Sequence, residues 1–301
     1  MSRWSDILEE VSENRKNGRG PDVICKKYVK KLRDLTGRNV IVYYSGWTHR
    51  QKGNNLIIND ADMIGFMNVM QGMDCGKGLD LVLHTPGGQV TAVEAIVKYL
   101  RAKFGNNIRV IVPQLAMSAG TMMACAGKTI VMGKHSSLGP IDPQLVFTNG
   151  AGVASAYNIV EEFEKAYGDL QKNPMTAPYY RIALSKYPVA AALNAKDSIR
   201  LASELIKKWL SENMLAERNG PEVDRVVAML NEHKDSKDHS RHFDINKCKE
   251  FGLIVEALED DNNLQDAVLS VHHAVDITMS QVNVEKIIIN QDGVLFAHIS
   301  K

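Results

Sequence analysis

The sequence has few of the residues and patterns that mark metal-binding, disulfide-stapled or nucleic-acid-binding proteins. Its cysteines are scattered along the chain and form no CxxC pair; they are Cys25, Cys75, Cys125 and Cys248. Neither a zinc site nor a disulfide scaffold is therefore expected. The net charge of the 301 residues is +1, which gives no reason to expect a nucleic acid or an anionic membrane as partner.

Long apolar runs are also missing. No run approaches the roughly 20 residues that a membrane-spanning helix needs, and the polar first residues lack the apolar core of a secretion signal. No GxGxxG fingerprint is present, so no dinucleotide site is predicted and no cofactor is expected. These absences predict a cytoplasmic protein in a reduced compartment.

What the sequence does contain, between residues 38 and 132, is an alternation of short apolar segments with segments of helical periodicity. Strands are predicted at 38–44, 79–83, 107–112 and 129–132, and helices at 60–73, 90–100 and 119–126. This order is typical of an α/β protein with a parallel sheet and crossover helices. Functional residues of such sheets gather on loops at the carboxyl ends of the strands.

Helices are predicted on both sides of this region. Residues 3–36 are expected to form one or two amphipathic helices, interrupted at 18–21. Later helices are predicted at 156–170, 196–215, 221–233, 244–252 and 264–279, with a connecting segment at 174–188, a loop at 259–263 and a terminal β-hairpin at 284–299. We divide the chain into an N-terminal helical segment (1–37), a central α/β domain (38–260) and a C-terminal helix and hairpin (261–301).

Ser118 is the first candidate functional residue. A predicted strand ends before Pro113 and a predicted helix begins after Ser118, so its hydroxyl lies beside free N–H groups at the positive end of the helix. That place suits a nucleophile whose attack creates an oxyanion. An ordinary helix N-cap is the alternative interpretation.

Two further segments stand out. The sequence His84-Thr-Pro-Gly-Gly88 follows a predicted strand, and glycines there allow a backbone N–H group to approach a ligand oxygen closely. Asp142 lies between Ile141 and Pro143, an unusual place for a carboxylate that serves only solubility. A plain βα turn and a turn aspartate are the alternatives.

Three linked motifs carry a resemblance to a known family. They are Leu-His-Thr-Pro-Gly-Gly at 83–88, Ala-Met-Ser-Ala-Gly-Thr at 116–121 and Leu-Gly-Pro-Ile-Asp-Pro-Gln at 138–144. Together they resemble the serine dehydrogenase proteinase family, distant relatives of the ClpP protease and of signal peptide peptidase A. The resemblance extends from the N-terminal Trp-Ser-Asp-Ile-Leu to the terminal hairpin. It implies a ClpP/crotonase-like fold, a spiral of βαβ units, and a serine peptidase whose name does not imply a nicotinamide site.

The resemblance also implies a serine, aspartate and histidine triad. Ser118 matches the nucleophile and Asp142 matches the aspartate. His239 matches the histidine, in a segment that lacks the threonine and the tyrosine-proline pair of the family motif, and His242 is its rival. Signal peptide peptidases use a lysine base instead, for which Lys165 is the nearest candidate.

Acyl-transfer chemistry then assigns the remaining roles. His239 would accept the proton of Ser118, Asp142 would orient the imidazole, and N–H groups from Gly87, Gly88 and Ala119 would form the oxyanion hole. A peptide or protein is the expected substrate, and a homo-oligomer is expected because related folds form rings. A crotonase-like thioester enzyme and a non-catalytic scaffold remain the alternatives.

Overall fold

The computed structural model of the chain describes residues 3–20, 22–50, 53, 55–147, 152–231 and 241–299. The strands are β1 (Asn39–Ser45), β2 (Leu79–His84), β3 (Ile108–Val112), β4 (Leu115–Ala116), β5 (Thr129–Met132), β6 (Ser137–Leu138), β7 (Gln144–Phe147), β8 (Gly152–Ser155), β9 (Val255–Ala257), β10 (Val284–Asn290) and β11 (Leu295–Ile299). The helices are α1 (Trp4–Lys16), α2 (Asp22–Thr36), α3 (Asp62–Met70), α4 (Val90–Phe104), α5 (Ala119–Cys125), α6 (Ala156–Lys172), α7 (Ala177–Leu184), α8 (Ala191–Glu212), α9 (Gly220–Leu230), α10 (Ile245–Phe251) and α11 (Asn262–Gln281).

A seven-stranded sheet in the order β11-β10-β1-β2-β3-β5-β9 forms the centre of the described structure. The five strands from β1 to β9 are parallel, and the terminal hairpin adds β10 and β11 antiparallel at one edge. The mixed α/β architecture with a mostly parallel sheet is therefore confirmed. Helices connect the parallel strands because such strands need crossovers.

Alternate residues of each strand face two different apolar layers. In β1, Ile41 and Tyr43 belong to the apolar layer that also contains residues of α3, α4, α5, α8 and α9, whereas Val42 and Tyr44 belong to the layer that contains residues of α1, α2 and α11. The N-terminal helices and the long C-terminal helix thus cover one face of the same sheet. Burial on both faces explains why these strands are almost wholly apolar in sequence.

Three segments differ from the sequence predictions. Residues 174–188 hold a 3-10 helix (Pro174–Thr176) and α7 rather than a plain connection, since Pro178 lies in the first turn of α7, where a missing N–H does no harm. The hairpin β7–β8 was not predicted, and the predicted loop at 259–263 begins with a 3-10 helix (Leu258–Asp260). The terminal hairpin and the α1–α2 pair are confirmed.

A second layer of backbone pairing lies over the carboxyl ends of the central strands. Strand β4 pairs with β6 in a small parallel sheet. Isolated bridges join Thr85 to Ala116 and Ile58 to Gly88. This layer brings the Pro-Gly-Gly loop after β2 against the segment that carries Ser118.

Candidate active site

Ser118 occupies a strained backbone position between β4 and α5. Its φ is 52° and its ψ is −118°, a left-handed region that residues other than glycine rarely adopt. Hydrogen bonds hold it there: Met117 N–H donates to the Thr85 carbonyl at 3.0 Å, and Met122 N–H donates to the Ser118 carbonyl at 3.1 Å. The Ser118 side chain makes no capping hydrogen bond, so the N-cap interpretation is wrong. Such strain costs about 1–3 kcal/mol and is concentrated at functional sites.

The Pro-Gly-Gly loop lies directly against Ser118. Gly87 has a φ of 101°, and a Cβ added there would come within 2.6 Å of the Met117 carbonyl and 2.8 Å of the Ser118 Cβ. The same Cβ would lie 3.0 Å from the Ala119 nitrogen, so the two backbones are in close approach. The glycine at this position therefore provides room that no other residue offers.

Two backbone N–H groups at this point have no acceptor among the described residues. Among the hydrogen bonds of the described residues, none is donated by the N–H of Gly88 or of Ala119. Gly88 lies beside Ile58, whose backbone bonds to Gly87 and Gln89 on either side. Gly88 lines the same cleft as Ser118, and Ala119 directly follows Ser118 in the chain. Donors without an acceptor around a reactive serine are what an oxyanion hole requires.

A cleft of about 540 Å³ opens over Ser118. Its described lining residues include Ile57, Pro86, Gly87, Gly88, Val90, Thr91, Ser118, Met122, Ile141, Pro143, Gln144, Leu145, Val146, Ser198 and Leu201, together with Gln89. The walls are mainly apolar, and the Ile57 side chain on one of them stays 45% exposed. A cleft of this size accommodates several side chains of a peptide.

Asp142 is almost completely buried beside this cleft. Its carboxylate accepts a hydrogen bond from Gln144 Nε2 at 2.7 Å. It also adds to the effect of burial in raising the pKa of Tyr157, in the first turn of α6. Asp142 itself does not line the described cleft, although Ile141 and Pro143 on either side of it do.

The three candidate bases, His239, His242 and Lys165, differ in what the structure shows of their surroundings. His239 lies outside the described residues. His242 and Lys165 are exposed, and neither is among the described residues that line the cleft. The described residues that flank His239 are nevertheless joined to the segment preceding Asp142: the Leu230 carbonyl accepts from Ile141 N–H at 3.1 Å, and Phe243 exchanges two hydrogen bonds with Leu138, of 2.8 and 3.0 Å.

Thr121 is a positioning residue that sequence reasoning missed. Its hydroxyl lies 2.9 Å from the carbonyl oxygens of Ala116 and Gly139 and accepts from Gly139 N–H at 2.9 Å. The side chain thus ties the segment before Ser118 to the one before Asp142. The signal was present, since Thr121 ends the Ala-Met-Ser-Ala-Gly-Thr motif.

His84, in the first motif, faces away from the cleft. Its ring stacks on Tyr44 with centroids 4.2 Å apart, and its two nitrogens lie 3.1 Å from the Ser45 carbonyl and from the Gln114 side-chain amide. Burial lowers the pKa of His84 to about 4, so the ring is neutral at pH 7. His84 is buried in the core at the base of the loop and is not among the described residues that line the cleft.

Neither a metal centre nor a membrane helix is found in the part of the chain that the structure describes. No cluster of three or more His, Cys, Asp or Glu side chains there is arranged to hold a metal ion. No helix in the same ranges is long and apolar enough to span a membrane.

A strained serine at the carboxyl edge of a parallel sheet, with a glycine loop against it, places the protein in the class of ClpP-like α/β proteins. Residues 55–169 match the model of a family described as ClpP-like SDH-type serine proteinase. This segment, which contains all three sequence motifs, is therefore similar to that family. The expected family resemblance and ClpP-like fold are confirmed.

Two relatives from Methanocaldococcus jannaschii are themselves described as uncharacterized. Protein MJ0137 is 29% identical over 245 residues, which cover 76% of this chain and 73% of the relative. Protein MJ1495 is 39% identical over 79 residues, covering 26% of this chain and 27% of the relative.

Solved structures with a similar course of the chain include two proteases. A variant of the 1510-N membrane-bound stomatin-specific protease has a TM-score of 0.40 and 16% identity, covering 76% of this chain and 84% of its own. A ClpP1 variant from Listeria monocytogenes has a TM-score of 0.37 and 14% identity, covering 77% of this chain and 98% of its own.

Proposed function

We propose that this protein is a serine peptidase in which Ser118 forms an acyl-enzyme with the substrate. The observation that carries the proposal is the strained Ser118, which has no side-chain capping bond, lines the same cleft as Gly88 and directly precedes Ala119. The N–H groups of Gly88 and Ala119 have no acceptor among the described residues. A hydroxyl that only capped a helix would need neither the positive φ nor the glycine loop. Strain at a serine that opens onto a cleft is instead typical of a nucleophile.

The proposed reaction proceeds in two steps. The Ser118 Oγ attacks the scissile carbonyl carbon, its proton passes to the base, and the oxyanion is bound by the free N–H groups. The base then gives that proton to the leaving amine. Water, activated by the same base, releases the acyl group and restores the Ser118 hydroxyl. Each N–H donor typically contributes about 10²–10³ in rate.

We assign the base to His239 and the orientation of its ring to Asp142. The assignment is supported by the chain on either side of His239, which is hydrogen-bonded to the segment that leads into Asp142. His242 and Lys165 are weaker candidates, because both side chains are exposed and neither lines the described cleft.

A peptide substrate and a homo-oligomer complete the proposal. The apolar cleft walls suit an apolar peptide segment. The amphipathic faces of α1 and α2 are buried on the sheet and are not available for assembly. Exposed apolar side chains on and after α7, namely Tyr179, Ile182, Val189 and Leu193, offer a contact surface instead. Light scattering at 33.4 kDa across working concentrations would contradict the oligomer.

Fluorophosphonate labelling with peptide mapping tests the nucleophile. We expect the probe to modify Ser118 in the wild type and to fail with Ser118→Ala. Ser198→Ala is the matched control, because Ser198 lines the same cleft and should leave labelling unchanged. A thioester enzyme or a scaffold would leave Ser118 unmodified, so an unlabelled wild type that is correctly folded would overturn the peptidase proposal.

A further inference from the structure

Residues 55–58, here named the strap, run from strands β10 and β1 of the sheet to the glycine loop. At the far end, Asn55 N–H donates to a Glu285 carboxylate oxygen at 3.0 Å. The Leu56 carbonyl accepts from Ser45 Oγ at 2.6 Å. Each of these anchors lies on a strand of the central sheet, β10 or β1.

At the near end, the strap is bonded to the loop itself. Ile58 N–H donates to the Gly87 carbonyl at 2.8 Å, and Gln89 N–H donates to the Ile58 carbonyl at 2.9 Å. A Cβ on Gly88 would collide with the Ile58 backbone, so the two segments are in direct contact. Ile58 is fully buried. The position of the loop relative to Ser118 therefore follows the position of the strap.

Lys286 holds the middle of the strap. Its side chain is fully buried, and Nζ donates to the Ile57 carbonyl at 2.8 Å and to both carboxylate oxygens of Asp62, at 2.6 and 2.9 Å. Asp62 is buried too and accepts from Tyr43 OH at 2.7 Å. All three ammonium protons thus have acceptors, one of them on the strap.

A second buried carboxylate in the same sheet offers a comparison. Asp80, also fully buried, accepts from Arg38 Nε at 2.6 Å and from Arg109 at 2.7 and 2.9 Å. It lies at the amino ends of β1, β2 and β3, the end of the sheet away from Ser118. Buried pairs are weak contributors to stability. What distinguishes the Lys286 pair is its bond to the Ile57 carbonyl.

We propose that Lys286, held by Asp62, is a positioning residue that fixes the strap and thereby sets the Gly87–Gly88 loop against Ser118. The inference rests on the proposed peptidase function for its catalytic consequence. Of the described residues that line the cleft, Ile57 alone belongs to the strap, so loosening the strap displaces the oxyanion donors and leaves most of the apolar walls in place. The effect should therefore fall on acylation and kcat and leave KM nearly unchanged.

The test replaces the buried Asp62–Lys286 pair by neutral residues and compares it with a variant at Asp80. In Asp62→Asn with Lys286→Met, the amide oxygen keeps an acceptor for Tyr43 and no lone buried charge remains. The control is Asp80→Asn with Arg109→Met, which removes the carboxylate and one of its two arginines at the other end of the sheet and leaves Arg38 without its carboxylate partner. Fluorophosphonate labelling rates, peptide kcat and KM, and urea unfolding are measured for both.

We expect the Asp62/Lys286 double variant to label about 10-fold more slowly, a smaller loss than removal of a whole donor, with KM within about twofold of the wild type. The Asp80/Arg109 variant should lose stability and keep the labelling rate. Equal labelling in all three proteins would overturn the inference. If the first double variant does not fold, Ser45→Ala is measured instead, because it removes only the hydrogen bond to the Leu56 carbonyl. A few-fold slower labelling would support the role of the strap, and an unchanged rate would contradict it.

Hydrogen exchange tests the link between the strap and the loop independently of the proposed peptidase function. The amides of Ile58 and Gln89 form the junction between strap and loop, so they should exchange faster in the Asp62/Lys286 double variant and not in the Asp80/Arg109 control. That result would support the mechanical link even if the wild type proved not to react with the probe. Unchanged protection in both variants would reject the link even if Ser118 proved to be the nucleophile.

Discussion

The two ends of the central sheet use their polar groups differently. At the amino end, the Asp80 carboxylate is matched by two arginines, Arg38 and Arg109. At the carboxyl end, Ser118 is strained, and among the described residues the N–H groups of Gly88 and Ala119 have no acceptor. At the amino end the charges satisfy one another within the fold, whereas an end whose donors lack a partner among the described residues is prepared for a ligand that supplies the acceptor.

Substitutions at Ser118 give the largest expected effect and separate strain from chemistry. Both Ser118→Ala and Ser118→Gly should reduce peptide hydrolysis by about 10⁴-fold or more, because the nucleophile is gone. Glycine adopts a φ of 52° without steric cost, so Ser118→Gly should be about 1 kcal/mol more stable than Ser118→Ala. Urea unfolding measures the difference. Equal stabilities would mean that Ser118 is not strained in solution.

The base gives the next largest effect. His239→Ala should lower kcat by about 10²–10⁴-fold, and the rate of the wild type should show a limb near the usual histidine pKa of about 6.5. His242→Ala is the control, since that side chain is exposed and does not line the described cleft. If both variants keep the wild-type rate, the base is elsewhere and Lys165→Ala becomes the next substitution to measure.

Alanine substitutions at two glycines, one at each end of the sheet, test whether the two ends differ in their role. An added Cβ at Gly87 meets the Met117 carbonyl and the Ser118 side chain, so Gly87→Ala should displace the loop and lower kcat about 10²-fold. Gly105, before β3 at the amino end, has a φ of 59° and nothing within 4 Å of an added Cβ. Gly105→Ala should cost about 1 kcal/mol of stability and no activity. Similar kinetics for the two variants would remove Gly87 from the site.

The site features that the sequence predicted are local ones. Ser118 and the Pro-Gly-Gly loop were found because each follows a strand directly, and the turn chemistry that exposes them lies within a few residues. The order of strands and crossovers followed from the same periodicity, and the terminal hairpin from its Asp-Gly turn.

The features that the sequence left hidden depend on contacts between distant parts of the chain. Lys286 and Asp62 are 224 residues apart, and nothing in an apolar strand or a methionine-rich helix indicates that their charges meet. The strap has no motif of its own, because its role is carried by backbone carbonyls and amides. Helix α7 was missed for a different reason: three prolines suggested a loop, although Pro178 is compatible with a first turn.

Acid sensitivity is the smallest expected effect, and it arises on the other face of the carboxyl end. Burial lowers the pKa of His84 to about 4 and also lowers that of neighbouring His272, although Asp276 opposes both shifts. The unfolded chain, with a histidine pKa of about 6.5, therefore binds protons at these two histidines at a higher pH than the folded protein does. Stability is complete above pH 6.5 and is lost as the pH falls towards 4, with His84 alone costing about 2 kcal/mol between pH 7 and pH 5. Urea unfolding at several pH values should show a shallower slope for His84→Gln than for the wild type, and equal slopes would show that His84 is not held neutral by the fold.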